Sequence, residues 1–161
     1  MKESNEFSVV LEIKDPEKQD ILKKSVEELH ELFSFAKISV KFQTESLAPF
    51  EITAMLVITI AAEVTANLVI KMFEKLWEKL GKNNIQVKVK DVDVVERKAE
   101  NYLKHIGVEN PVLIEKKIKG LYDLFIFRDA NGNEHILHIS SCDLRVINYK
   151  KKRCQHASFS R

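Results

Sequence analysis

Five side chains able to ligate metals or attack electrophiles fall close together late in the chain: His135, His138, Cys142, Cys154 and His156. Thiolate and imidazole are zinc's preferred protein donors, so zinc is the chemistry to weigh first. The spacing argues against it. His135 and His138 are three apart in an alternating stretch, and a strand sends such residues to opposite faces, so at most one of them joins a site. Neither Cys-x-x-Cys nor a helical His-x-x-x-His occurs. The candidate ligands reduce to Cys142, Cys154, His156 and His138, and the pattern fits surface histidines and free thiols better than a metal centre. No other cofactor is implied.

Nucleophilic and phosphate chemistry do not assemble either. There is no Gly-x-Ser-x-Gly, and the chain's 4 glycines never lead a strand into a helix in phosphate-binding order. A non-catalytic protein is expected, with no small-molecule substrate identifiable. One strongly charged run remains, Lys150, Lys151, Lys152 and Arg153. Such a run can hold phosphate backbones or an anionic membrane surface. Its simpler reading is a solvated, disordered tail over 150–161. The charge is uneven: residues 1–80 carry 10 basic and 14 acidic side chains, net −4, and residues 81–161 carry 16 and 10, net +6.

The elements that must position these groups begin with Phe7 to Lys14, where Phe7, Val9, Leu11 and Ile13 alternate as on a half-buried strand. Asp15-Pro16 opens a helix on Leu22, Val26, Leu29 and Phe33, and Lys37 to Gln43 alternates again. From Phe50 to Leu80 the spacing predicts one long helix, apolar first and amphipathic later, entered through Ser46 and Pro49 and closed by Gly81. Its polar residues Thr59, Glu63, Asn67 and Lys71 recur every four positions as a stripe. Phe73, Leu76, Trp77 and Leu80 extend an apolar seam towards its charged end, suited to association with another copy. Ile52 to Ile70 is also long enough to span a membrane, but a central Glu63 costs about 3 kcal/mol on the insertion scale and largely cancels the aliphatic gain. The balance favours a buried helix.

Asn84 to Lys90 reads as a further strand. Asp93 and Glu96 have capping-box spacing for a helix from Val94 to Ile106, stopped at Gly107. Strands are expected at Val112 to Lys119, Leu121 to Arg128, Glu134 to Ile139 and near Leu144 to Tyr149, with a hairpin loop at Asp129-Ala130-Asn131-Gly132.

Residues 94–149 resemble the PepSY-type module of one helix followed by an antiparallel meander. The resemblance rests on Glu96 to Gly107, on Gly120-Leu121-Tyr122-Asp123-Leu124-Phe125-Ile126-Phe127, on Asn131-Gly132-Asn133-Glu134 and on His135-Ile136-Leu137-His138-Ile139. It implies an extracytoplasmic module linked to peptidase control, whereas the polar start Met1 to Glu6 lacks a signal leader's basic and apolar pattern. Where family members carry a Thr-Gly turn before the last strand, this chain has Ser141-Cys142-Asp143-Leu144.

The fold class expected is thus α+β: a strand-helix-strand unit with one long helix (1–92), then a helix and a three- or four-stranded antiparallel meander (93–149), then the basic tail (150–161). The function expected is an interaction or regulatory module, cytoplasmic, self-associating through the long helix as a homo-oligomer or binding a protein partner. A membrane-anchored protein with one span is the alternative, and a nucleic-acid binder using the tail is the second. A surface rich in Lys and Glu, with 31% charged residues, has a thermophile-like character.

Overall fold

The structure, a computed structural model, describes residues 4–44 and 52–154. It is an α+β protein of three helices and two antiparallel four-stranded sheets. Alternation builds the first strand: Phe7, Val9, Leu11 and Ile13 are buried along β1 (Ser4–Ile13) while the residues between them face the other side. α1 (Lys18–Leu32) follows, burying Leu22, Val26 and Leu29, with Asp15 Oδ1 accepting the Glu17 N–H at its entry. β2 (Ala36–Thr44), β3 (Ile52–Ala61), α2 (Ala66–Lys82) and the short β4 (Gln86–Lys88) complete the unit. Strand order is β2-β3-β1-β4, and the buried faces of both helices share one core with the inward residues of the strands. This is the split βαβ arrangement of ferredoxin-like folds.

The expected long helix is therefore corrected. Its apolar part is β3, the inner strand between β1 and β2, and only its amphipathic part is helical. Ile52, Ala54, Leu56, Ile58 and Ile60 are buried under the helices, whereas Thr53, Met55, Val57 and Thr59 lie half-buried on the opposite face. β-branched side chains dominate the segment and pack well on a pleat, while helical χ1 restrictions penalise them. The polar stripe dissolves accordingly. Thr59 is on β3, Glu63 is in the turn after it, and Asn67 and Lys71 are on α2. Ile52 to Ile70 is no single span, and no helix among the described residues is long and apolar enough to cross a membrane. Ser46 and Pro49 lie outside the described residues.

α3 (Val92–His105) starts two residues earlier than expected, because Asp91 rather than Asp93 is its cap: Asp91 Oδ1 accepts the Asp93 N–H at 2.9 Å. Gly107 follows the helix at φ 90°, a conformation that favours glycine. The meander runs through β5 (Val112–Ile118), β6 (Tyr122–Arg128), β7 (Glu134–Ser140) and β8 (Val146–Lys152) in the order β5-β6-β7-β8. Val95, Ala99 and Leu103 of α3 bury Phe125, Phe127, Leu137 and Ile139 in a second core.

Two contacts join the halves. Glu74 on α2 accepts the Tyr122 hydroxyl at 2.7 Å, and the Trp77 ring lies on Gly120, where a Cβ would come within 2.5 Å of it. The loop between β7 and β8 makes the other. β4 pairs only with Val10 to Glu12, so the earlier part of β1 would present an open edge. Asp143 covers it, its Oδ2 accepting the Ser8 N–H at 2.6 Å, while the Ser141 carbonyl accepts the Lys90 N–H at 2.8 Å.

Candidate functional site

Four strands lie at sheet edges among the described residues: β2 and the three-residue β4 in the first sheet, and β5 and β8 in the second. An open edge offers unpaired N–H and C=O groups to any extended chain, and proteins protect such edges with charge. β2 follows that rule with exposed Lys37 and Lys41, and β8 follows it with Lys150, Lys151 and Lys152. β5 does not. Val112 is 61% exposed, Ile114 47% and Ile118 66%. A bulge between Leu113 and Glu115 sets Ile114 outside the regular ladder. Its charges are paired, Glu115 with Lys117 at 3.0 Å and Lys116 with Glu96 of α3 at 3.3 Å.

The opposite edge carries the chain's basic run. Lys150 to Lys152 are not a free tail but the end of β8, which corrects the boundary expected at 150; residues 155–161 lie outside the described residues. The ladder places Lys150 opposite Ile136 and Lys152 opposite Glu134 on one face of the sheet, with Lys151 opposite His135 on the face towards α3. The run is therefore divided between two clefts on either side of the β6–β7 hairpin. One, of about 360 Å³, is lined by Arg128, Gly132, Glu134, Lys152, Arg153 and Cys154. The other lies between the end of α3 and the hairpin, with Asp129, Tyr149 and Lys151 on its wall.

Between the clefts runs a chain of polar side chains. Buried His135 places Nε2 3.0 Å from Asp129 Oδ2 and Nδ1 2.9 Å from the Tyr149 hydroxyl. The tautomer that serves both contacts has Nε2–H donating to Asp129 and Nδ1 accepting from Tyr149. Asp129 also accepts the N–H groups of Asn131 and Asn133, each at 2.9 Å. Hydrogen bonds from His135 and Asn133 hold the Asp129 carboxyl well below the usual carboxylate range. Burial, with Tyr102 and Asp129 nearby, raises the Tyr149 phenol. Each oxygen of Asp129 is already satisfied by the hairpin or the imidazole, so the arrangement can latch the loop but keeps no spare acceptor for a substrate proton.

The expected site residues separate. Cys142, Cys154 and His138 do not converge, and among the described residues no group of three His, Cys, Asp or Glu side chains could hold a metal; His156 lies outside them. Cys142 is tucked beside β1, where burial pushes its thiol up to about 12, whereas Cys154 is exposed. His135 and His138 do face opposite sides: His138 meets the Tyr122 ring, centroids 5.8 Å apart, and burial lowers its pKa. The seam proposed for association is used internally. Phe73, Leu76 and Leu80 are at most 1% exposed, and Phe73 meets Phe7 edge-on at 5.3 Å. Trp77 is half-exposed but is committed to Gly120. Sequence reading missed the β5 edge and the Asp129–His135–Tyr149 chain. The signal for the first was an apolar residue at Val112 and Ile118 on either side of a charged centre; the second spans too many positions to be found by spacing.

Compared with family models, curated proteins and solved structures, the chain finds no match.

Proposed function

We propose that this protein is a non-catalytic interaction module that self-associates, with β5 of one copy pairing antiparallel to β5 of a second. The observation that carries the reading is the apolar exposure of an unpaired edge, with Val112, Ile114 and Ile118 all near half exposed or beyond. Strand addition satisfies the edge's backbone groups, and the side chains on it supply specificity.

Charge selects a second copy as the occupant. A two-fold axis at Lys116 sets Glu115 opposite Lys117 of the second copy, and Lys117 opposite its Glu115. The same register brings Ile118 to the end of the paired stretch, beside the bulged Ile114 of the second copy. Lys116 alone meets its own kind, and each copy already neutralises it with Glu96. Opposite-charge and aliphatic cross-strand pairs contribute about 0.2–1 kcal/mol each, and burying an isoleucine adds about 1.5–3 kcal/mol.

The charge pattern supplies the test. Glu115→Lys should weaken the dimer, as should Lys117→Glu, and the double exchange should restore it because the pattern remains self-complementary. Sedimentation equilibrium reads all three. Equal association by the single and double variants would remove the register.

A further inference from the structure

We propose that the cleft beside the β6–β7 hairpin, walled by Arg128, Lys152 and Arg153, is a binding site for a phosphate group. It lies at the β8 edge of the sheet, away from β5, so it stands independently of the dimer. Three cations and one carboxylate line the cleft. Glu134 is held by Arg128 at 3.1 Å, and Lys152 sits across the ladder from the same carboxylate. Neither Lys152 nor Arg153 has a carboxylate within ion-pair distance among the described residues, so the cleft keeps an excess of two positive charges, matching a phosphate dianion.

The cations sit on fixed backbone. Lys152 closes the β7–β8 ladder, and the Cys154 N–H just beyond it is held by Asn133 Oδ1 at 3.2 Å. The hairpin supplying the other wall is latched by Asp129, which binds Asn131 and Asn133. Gly132, at φ 80°, lines the cleft without a side chain, and a Cβ there would lie 3.5 Å from Cys154 Cβ and Sγ. A guanidinium pairs bidentately with phosphate oxygens, and a lysine beside it adds a point charge. At about 360 Å³ the cleft has room for a phosphate together with part of the group it esterifies. The same chemistry is offered by a small phosphoester and by the backbone of a single-stranded nucleic acid.

Amide resonances of the full chain, followed by NMR, give the test, with pyrophosphate as one probe and a single-stranded oligonucleotide as the other. Saturable shifts at Gly132, Lys152, Arg153 and Cys154 are expected with pyrophosphate. Lys152→Glu combined with Arg153→Glu should weaken binding about tenfold or more, with the remaining spectrum unchanged because both side chains are exposed. If the oligonucleotide moves the same amides with a logarithmic salt slope of about −0.7 per phosphate contact, a nucleic-acid backbone is the source. If only pyrophosphate moves them, a small phosphoester is. Shifts spread evenly over the surface lysines, or none in the cleft with either probe, overturn the proposal.

Discussion

Replacing Gly120 with alanine should push the two halves of the molecule apart. Gly120 has φ 93°, and a Cβ there would approach Trp77 Cδ2 to 2.5 Å and Cε2 to 2.6 Å. Two costs add. Placing an L-residue in left-handed backbone costs about 1–2 kcal/mol. Displacing a ring from a filled position costs about 1–3 kcal/mol. The sum, about 2–5 kcal/mol, is a large part of the stability of a typical domain. For a chain of this length each kcal/mol lowers Tm by about 2–4 °C, giving a fall of roughly 4–20 °C. Trp77 is the protein's single tryptophan, so its emission reports the junction directly. Gly120→Ala should shift that emission before global unfolding, and Trp77→Ala in the same background should recover part of the loss because the clash is gone. Unchanged Tm and emission in Gly120→Ala would refute the docking of α2 against the second sheet.

Three other outcomes follow from single titratable groups. Asp123 is 2% exposed and its Oδ1 has no partner among the described residues; burial raises its carboxyl above the ordinary value. Stability from that group is present below the unfolded pKa of about 4 and is lost as pH rises through the folded value, so Asp123→Asn should raise Tm at pH 7 and not at pH 3, as calorimetry can check. Asp129 behaves oppositely. Its lowered carboxyl contributes above about pH 4 and fades as pH falls, so Asp129→Asn should flatten the acid limb of a Tm-against-pH curve. The two thiols should also differ: iodoacetamide at pH 8 should add one mass increment to the folded protein, at Cys154, and reach Cys142 only after denaturation.

Much of this architecture is legible locally. Phe7, Val9, Leu11 and Ile13 alternate against one buried face, and Val69, Met72, Phe73, Leu76 and Leu80 recur at helical spacing. The hairpin is written in Asp129 and Asn131, whose short polar side chains accept tight-turn geometry. The Ile52–Ala61 strand is not legible in the same way. As an inner strand it is flanked on both sides, and Met55 and Val57 on its less buried face are as apolar as the residues beneath the helices, so no clear alternation marks it. A coincidental spacing of Thr59, Glu63, Asn67 and Lys71 across strand, turn and helix then imitated a stripe. The flanking Val112 and Ile118 of β5 hint at an edge, but whether Ile118 is covered depends on strand order, a property of the whole sheet. The basic run shows the converse: its charges suggest solvent, but ladder pairing with Glu134, His135 and Ile136 orders Lys150 to Lys152 into β8.

The most direct test of the central reading is the mass of the native chain by light scattering over a range of concentrations, alongside Ile118→Asp. Pairing along β5 predicts a species of twice the 18.6 kDa chain mass that Ile118→Asp converts to monomer without changing the far-UV spectrum. A wild-type protein that stays monomeric at every concentration, or a dimer that Ile118→Asp leaves intact, would contradict it.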